Sequence, residues 1–282
     1  MRVIAFSGPT AGRLYSAAMK PSRFLLQIAA LCMALCVAPA RAADAPAANP
    51  PDSSRVSDPQ AIAIADRVIA GLGGAERWNT LRGLRWSFES VLRDTVRSTR
   101  RHSWDKYSGW HKVSGTTRDG TAFTFIDNIN TGEGRAWMNG HAIEGDSLAK
   151  LLKRAKSLWT NDTYWMLMPY KLRDPGVILK YDGQVREGDY ISDRLALSFE
   201  QVGETPGDRY WVFVNRATHR VEKWEFILQG AAPPANVYAW EGWEQHDGLW
   251  FPTIKRGAED RAIYTRNIET VNAFPASEFE QP

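Results

Sequence analysis

The chain has almost no cysteine. Of its 282 residues only Cys32 and Cys36 are cysteines. Both lie in an apolar stretch, residues 24–38, that follows basic residues and ends in the Ala40-Arg41-Ala42 cleavage pattern of a secretory signal peptide. We therefore expect residues 1–42 to be a signal peptide cleaved after Ala42, and the protein to be exported to the periplasm. The mature chain would then form no disulfide, and its stability would depend on its core.

The chain also lacks a second long apolar run and a basic excess. No segment after residue 42 approaches the roughly 18 apolar residues that a membrane helix needs, so we expect no transmembrane segment in the mature chain. The sequence has 35 Lys+Arg and 32 Asp+Glu, and residues 1–42 hold five of the basic residues and no acidic one. Residues 43–282 therefore carry 30 − 32 = −2 charges. A nucleic-acid partner is not expected, because such partners usually select a basic domain.

One basic region remains: residues 81–118 contain nine basic residues and three acidic ones. It includes Arg93, Arg97, Arg100 and Arg101. Such a run is most often a solvated strand face, and the other interpretation is a site for an acidic headgroup or an acidic partner protein.

Catalytic and metal-binding motifs are missing as well. No G-x-S-x-G occurs, and Ser147-Leu148-Ala149-Lys150 matches S-x-x-K without an accompanying K-T-G. The five histidines have no metal-binding spacing. Paired carboxylates for sugar hydrolysis have no identifying spacing; the candidates are Asp162, Asp174, Glu241 and Glu244. We expect no enzyme, no cofactor and no metal, with a hydrolase as the less favoured alternative.

Tryptophan is abundant by contrast, and all twelve tryptophans follow residue 42. Residues 43–58 are rich in Ala, Pro, Asp and Ser, which predicts a disordered tether. Residues 59–282 fit a single domain. Ser57-Asp58-Pro59 predicts the start of a helix, with an N-cap and a proline in the first turn, and Gly73-Gly74 predicts its end.

The pattern after this helix has the period of two that is typical of strands. Leu84, Trp86 and Phe88 alternate with polar residues, and further runs of this kind are separated by Gly, Asp, Asn or Pro. We predict about ten antiparallel strands. An amphipathic helix beginning near residue 146 interrupts them, and Asn161 is expected to cap a second short helix that Pro169 ends.

Some strands are apolar on both faces, so one face must be covered or must line a cavity. The segment that precedes Pro169 is short and crowded with aromatic and methionine side chains, which adapt to irregular apolar partners. For the tryptophans, plain core and cavity lining are both open. The candidate ligand-binding residues are Trp86, Phe88, Phe123, Phe125, Trp137, Trp159, Trp165, Met166, Met168, Trp211, Phe213 and Trp224.

The order of elements resembles the LolA/LolB-like superfamily of periplasmic lipoprotein-localisation carriers. The resemblance lies in an N-terminal helix, a curved antiparallel sheet, helices inserted mid-sheet and a late Gly248-Leu249-Trp250-Phe251-Pro252 strand start. Residues 159–177, from Trp-Thr-Asn-Asp to Pro-Gly-Val, are also similar to a signature of exported bacterial proteins of that fold. The resemblance implies a single half-barrel of antiparallel strands, mainly β with helices (α+β), whose concave apolar face is covered by the helices.

The same resemblance implies a carrier or sensor that holds lipid or lipoprotein acyl chains in the hollow of the half-barrel. Some carriers of the superfamily latch the helical lid with an arginine, and Arg93, Arg97 and Arg100 are each candidates for this role. A structural module of the cell envelope, with a core filled by its own side chains and a protein partner, is the alternative.

Overall fold

A computed structural model describes residues 56–199 and 208–282, and the predicted signal peptide and most of the predicted tether lie outside these ranges. The described chain is mainly β and forms one open, curved antiparallel sheet of thirteen strands. In chain order the strands are β1 (Gly83–Leu92), β2 (Thr95–Asp105), β3 (Trp110–Thr116), β4 (Ala122–Asn128), β5 (Gly134–Met138), β6 (His141–Ile143), β7 (Val177–Glu187), β8 (Tyr190–Phe199), β9 (Arg209–Asn215), β10 (Val221–Ile227), β11 (Asn236–His246), β12 (Leu249–Gly257) and β13 (Arg261–Val271).

The strands follow one another across the sheet in the order β6-β5-β4-β3-β2-β1-β13-β12-β11-β10-β9-β8-β7. Apart from β6 and β7, strands that are consecutive in the sequence pair with each other. The first and last strands, β1 and β13, also pair with each other in the middle of the sheet. Its two edges, β6 and β7, are consecutive in the sequence and are joined by a helix. That helix has to run from one edge of the sheet to the other.

Three α-helices are described: α1 (Pro59–Gly71), α2 (Ala75–Thr80) and α3 (Gly145–Lys171). The 27 residues of α3 give it a length of about 40 Å at 1.5 Å per residue. A short 3-10 helix, Ala276–Phe279, lies near the C-terminus. No helix in the described part of the chain is long and apolar enough to span a membrane.

The expected class of fold is confirmed, whereas the expected number of strands is wrong: the sheet has thirteen strands and not about ten. The missed β6 has only three residues, His141–Ile143, and two of them are exposed. Such a strand carries no alternation of apolar and polar residues for a sequence pattern to detect.

The expected break of the middle helix at Asn161 is also wrong, because α3 is continuous through that position. Asn161 does not cap a helix. Its side-chain amide donates to Oδ1 of the adjacent Asp162 at 2.7 Å. Pro169 lies within the last turn of α3, and the helix ends two residues later at Lys171.

The first helix begins as predicted, with Asp58 at the N-cap and Pro59 in the first turn, but Asp58 makes no capping hydrogen bond. Its carboxylate accepts instead from the backbone N–H of Tyr181 at 3.0 Å and from Nζ of Lys180 at 3.1 Å. Its own N–H donates to the carbonyl of Leu179. The chain before α1 thus pairs with β7 and satisfies part of an exposed sheet edge.

The end of α1 is also as predicted, since the helix stops before Gly73 and Gly74. Both glycines have positive φ, 113° and 89°. A Cβ on Gly73 would lie 2.2 Å from the carbonyl oxygen of Gly248. Only glycine fits this turn, because it tolerates both the backbone conformation and the close approach.

The core consists of two apolar clusters on the face of the sheet that packs against α3, which we call the inner face. The large cluster spans the middle of the sheet and the β7 half, and includes α1. The small cluster lies under the first half of α3 and contains Val113, Phe123, Phe125, Ala136 and Ala155.

Candidate functional site

The inner face carries five of the predicted ligand-binding aromatic residues. Trp86, Phe88 and Trp224 belong to the large cluster, together with residues of α3. Phe123 and Phe125 belong to the small cluster and stack on each other with ring centroids 4.7 Å apart. The sheet therefore presents aromatic surface to α3 on both sides of its middle.

The second half of α3 places the remaining apolar candidates against this surface. Trp165 contacts Trp224 edge-on with ring centroids 4.8 Å apart, and Tyr238 at 4.7 Å. Met166 and Met168 have no exposed surface, whereas Trp159 is only partly buried and contacts Trp104 edge-on at 5.2 Å. In this conformation the side chains of α3 themselves fill the space over the inner face.

Three further candidates, Trp137, Trp211 and Phe213, lie on the opposite, outer face of the sheet. Trp137 pairs with Thr124, which alternates with the inner-face Phe123 and Phe125. Trp211 pairs with Glu225, next to the inner-face Trp224. Phe213 is buried under a lysine of the next strand, since Nζ of Lys223 lies 3.7 Å from its ring centroid. These three residues do not face α3.

A chain of buried polar side chains fastens the middle of α3 to the inner face. Asp162 of α3 accepts from Nε of Arg100 at 2.6 Å and from Nη2 at 2.8 Å. Its Oδ2 also lies 2.9 Å from Nε2 of His102. Nδ1 of His102 lies 3.0 Å from Nε2 of His111, whose Nδ1 lies 2.8 Å from Oδ1 of Asp127. We call these five residues the polar chain.

All four ring nitrogens of His102 and His111 take part in the polar chain. It has three contacts at ring nitrogens, and each needs one hydrogen, but two neutral imidazoles carry only two. With His102 neutral and donating from Nε2 to Asp162, the third hydrogen belongs to the contact between His111 and Asp127.

Burial and partners set the protonation at the helix end of the polar chain. Burial lowers the pKa of His102 to about 4, although Asp162 favours the charged form. Burial alone would raise the pKa of Asp162, but Arg100 and the hydrogen bond from His102 hold it well below its usual range. At neutral pH the contact to α3 is therefore an ion pair with a neutral imidazole beside it.

Aromatic rings enclose the polar chain. Trp86 stacks on His102 with ring centroids 4.5 Å apart and an angle of 5° between the planes. The guanidinium of Arg100 lies 4.5 Å from the ring centroid of Phe88. Two of the predicted ligand-binding residues thus contact the polar side chains that fasten α3.

Among the predicted basic residues, Arg100 is the one that contacts α3. Arg100 pairs with Phe88 across β1 and β2. Because paired residues lie on the same face of a sheet, Arg100 lies on the inner face. Arg97 and Arg101 are exposed, and Arg93 lies in the turn between β1 and β2 with φ of 50°. The structure therefore separates one partly buried arginine, which contacts α3, from three exposed arginines.

Unpartnered indole N–H groups are a second feature of the inner face. Within the described ranges, Nε1 of Trp86, Trp104, Trp224 and Trp240 is buried without a hydrogen-bond acceptor. These side chains are at most 8% exposed. Buried donors of this kind are normally paired, and all four of these indoles belong to the large cluster.

In the described residues, the fold does not bring the candidate catalytic residues together. Ser147 and Lys150 are both exposed at the start of α3, and the described residues contain no group of three His, Cys, Asp or Glu side chains that could hold a metal. The four carboxylates considered for sugar hydrolysis have separate roles: Asp162 lies in the polar chain, Asp174 pairs with Lys171, Glu241 with Arg256, and Glu244 with His246.

Sequence reasoning missed the polar chain. His102, His111 and Asp127 were not among the predicted site residues. The available signal was their position in the strands. His102 pairs with Val113, His111 lies two residues from Val113, and Asp127 lies two residues from Phe125. Each therefore shares the core-facing side of the sheet with an apolar residue. A polar residue on an apolar strand face needs a buried partner, but the sequence does not say which one.

Comparison with known proteins finds no matching family model and no matching curated protein. Solved structures do match. A DUF1329 family protein from Desulfovibrio piger has a TM-score of 0.46 at 11% identity, and a LolA superfamily protein from Nitrosomonas europaea 0.44 at 12%. A putative outer membrane lipoprotein-sorting protein domain from Vibrio parahaemolyticus has 0.44 at 11%.

In all three matches, 78% of this chain and 96% of the other chain are covered. One of the three is named as a member of the superfamily that the sequence resembles. At these TM-scores and identities they do not assign a function to this chain.

Proposed function

We propose that this protein is a non-enzymatic, exported periplasmic carrier or sensor that binds an apolar ligand between the inner face of its sheet and α3. Lipid or the acyl chains of a lipoprotein are the ligand class. The observation that supports the proposal is the construction of the cover: α3 lies over the aromatic inner face, and the polar chain fastens it at Asp162. The first half of α3, residues 145–158, has one buried residue and can move away from the sheet without disrupting the strands.

The binding energy in this proposal comes from burying methylene groups. Each buried methylene contributes about 0.8 kcal/mol, so a half-buried long acyl chain supplies several kcal/mol without specific polar contacts. The inner-face candidates Trp86, Phe88, Phe123, Phe125 and Trp224, with Trp159, Trp165, Met166 and Met168 of α3, would contact the chain. The outer-face Trp137, Trp211 and Phe213 would not, which narrows the set predicted from the sequence.

The exposed basic residues Arg93, Arg97 and Arg101 would contact a headgroup or an acidic partner protein outside the covered space. Arg100 would act on α3 instead, because its guanidinium is already engaged by Asp162. Residues 1–42 would be removed as a signal peptide. Intact-mass measurement and N-terminal sequencing test this, since a first residue other than Ala43 contradicts the proposed cleavage.

One observation favours a second candidate, a structural module of the envelope with a self-filled core. Trp165, Met166 and Met168 are almost fully buried and already pack against the sheet. In that case the inner face has no room for a ligand, and the protein acts through contacts with a partner on its outside.

Uptake of a fluorescent fatty-acid probe distinguishes the two candidates. A carrier binds the probe, and Trp165→Ala combined with Met168→Ala weakens the binding while the sheet remains folded. A structural module binds no probe even as wild type. Because Trp165 and Met168 are almost fully buried, the variant loses stability by about 3 kcal/mol or more in either case, so probe binding by the wild type decides. Melting temperature and probe affinity are measured on the same samples, with the outer-face Trp211→Ala as the matched control.

Native mass spectrometry of the protein purified gently from the periplasm supplies an independent test. A carrier is expected to retain lipid of defined mass. Hydrolysis of ester, amide or glycan panels would favour the hydrolase alternative instead and contradict the proposed function.

A further inference from the structure

A buried lysine stands on the inner face and has no acidic partner. Lys255 of β12 has no exposed surface, and it pairs across strands with Trp240 of β11. Tyr238 lies two residues before Trp240 on the same face of β11, and it contacts Trp165 of α3. Lysine is almost never fully buried unless it is paired, and no carboxylate in the described ranges forms an ion pair with Lys255.

The hydrogen bonds of Lys255 match a neutral amine. Its Nζ lies 2.8 Å from the carbonyl oxygen of Pro252 and 3.0 Å from Oγ1 of Thr265. Thr265 donates its own hydroxyl hydrogen to the same carbonyl at 2.7 Å, so its oxygen accepts from the amine. Two N–H groups thus have acceptors, the number that a neutral amine carries. Burial also holds the pKa of Lys255 well below its usual range.

A neutral amine with both N–H groups engaged retains one unused lone pair. The partner that this lone pair lacks is a hydrogen-bond donor. Beside it, Nε1 of Trp240 is a buried donor without an acceptor among the described residues. The Trp240 side chain is 2% exposed, and Lys255 Nζ lies 5.5 Å from its ring centroid. An unused acceptor and an unused donor therefore lie on paired residues of neighbouring strands, within a buried part of the core.

We infer that this pair is the polar anchor of the ligand space, and that the ligand is an apolar carboxylic acid with a free carboxyl group. A carboxyl group offers one O–H donor and one carbonyl acceptor, which complement Lys255 and Trp240. The inference rests on the proposed function and makes it more specific, because an esterified acyl chain carries no such donor.

Capture of the acid is a balanced proton transfer. The O–H bond of the carboxyl group breaks, its proton forms a new N–H bond on Nζ of Lys255, and the resulting carboxylate and ammonium remain hydrogen-bonded. No net charge enters the core when the neutral acid binds. A carboxylate from neutral solution has to bring one proton with it, so binding takes up one proton per ligand.

The anchor lies close to the polar chain. Thr265, which holds Lys255, pairs with Phe88 across β13 and β1, and Phe88 pairs with Arg100 across β1 and β2. A ligand that reaches Lys255 therefore contacts the residues that surround the fastening point of α3. Entry of the acid and release of the helix would occur in the same part of the inner face.

Binding of cis-parinaric acid, a fluorescent long-chain acid, and of its methyl ester tests the inference on the wild-type protein. We expect the acid to bind at least about tenfold more tightly than the ester at pH 7. Because binding takes up a proton, the affinity for the acid should fall by up to about tenfold per pH unit between pH 7 and 9. The affinity for the ester should not change. Equal affinity for acid and ester overturns the inference but leaves the proposed function intact, whereas no binding of either contradicts both.

Lys255→Met tests the role of the residue itself, because methionine keeps the unbranched shape without the amine. The preference for the acid should disappear, and the ester should bind as in wild type. Lys223→Met is the matched control: Lys223 lies on the outer face, paired with Glu187 and Glu225, and its loss should leave the preference unchanged. A Lys255→Met protein that still prefers the acid contradicts the assignment. If this variant does not fold, the acid-to-ester ratio and its pH slope in the wild type decide.

Discussion

The two halves of α3 cover the same sheet in different ways. From Gly145 to Asn161 the helix has one buried residue, Ala155, whereas from Asp162 to Tyr170 only Tyr164 is not buried. The first half lies over the small cluster through half-buried leucines, and the second half is embedded in the large one. The polar chain meets the helix at Asp162, where the loosely packed half gives way to the tightly packed half.

The difference indicates which part of the cover can open. Local opening is least costly where few apolar side chains are buried, and this condition holds in the first half of α3. The second half is fixed at its far end too, since the hydroxyl of Tyr170 lies 2.8 Å from the carbonyl oxygen of Leu72 and 2.9 Å from that of Trp250. The sequence pattern singles out the short segment before Pro169 for ligand contact, whereas the burial pattern favours residues 145–158 as the part that moves.

Breaking the junction between the two halves should have the largest effect. Asp162→Asn keeps the shape of the side chain and removes the charge that pairs with Arg100, leaving a guanidinium that is mostly buried and unpaired. Loss of one partner from a buried ion pair costs about 3–5 kcal/mol. We expect a decrease of this size in the free energy of unfolding, measured by urea denaturation.

Asp174→Asn is the control for this variant. Asp174 pairs with Lys171 near the end of the same helix, but both side chains are substantially exposed, 40% and 31%. Exposed pairs contribute about 1 kcal/mol or less. Equal losses in the two variants would mean that the polar chain does not fasten the helix.

Much of the fold follows from the sequence, because its signals are local. The alternation of Leu84, Trp86 and Phe88 identifies a strand with one apolar face, and Gly73-Gly74 identifies the end of α1. The face that each apolar residue occupies was harder to infer. In Tyr210-Trp211-Val212-Phe213 both faces are apolar, and the outer residues are covered by long cationic side chains such as Lys223 and Arg209, so Trp211 and Phe213 gave no sign of their orientation.

The polar chain could not be predicted, because its partners are distant in the sequence. His102 and Asp162 are 60 residues apart, and His111 and Asp127 belong to two different strands. Each residue alone has an ordinary explanation as a turn, a cap or a solvated strand position. Only the pairing register of β2, β3 and β4, and the position at which α3 crosses them, brings the side chains together.

Acidification should weaken the same junction by a smaller amount. The pKa of His102 is about 4 in the folded protein against 6.5 for an unperturbed histidine, so the unfolded chain binds more protons between these values. Stability contributed by the neutral His102 is present above pH 6.5 and is lost as the pH falls toward 4. A shift of this size corresponds to about 3 kcal/mol, measured as unfolding free energy against pH.

His102→Gln should flatten this part of the pH dependence, whereas His141→Gln, which changes an exposed histidine of β6, should leave it unchanged. Release of α3 at low pH would then originate at the junction. A profile for His102→Gln that still falls as steeply between pH 6.5 and 4 would assign the acid sensitivity to other groups.

The smallest effect is expected in the first half of the helix, and it sharpens the comparison most directly. Leu151 is half-buried over the small cluster, whereas Leu167 is 1% exposed in the large one. Truncation of a buried leucine costs about 2–5 kcal/mol, so Leu167→Ala should cost about 3 kcal/mol and Leu151→Ala about 1 kcal/mol. Hydrogen exchange should show the same order: amides of residues 147–158 open by local fluctuation, and Leu151→Ala accelerates their exchange without affecting residues 163–170. If both halves exchange together in the wild type, α3 opens as one unit and the polar chain does not divide it.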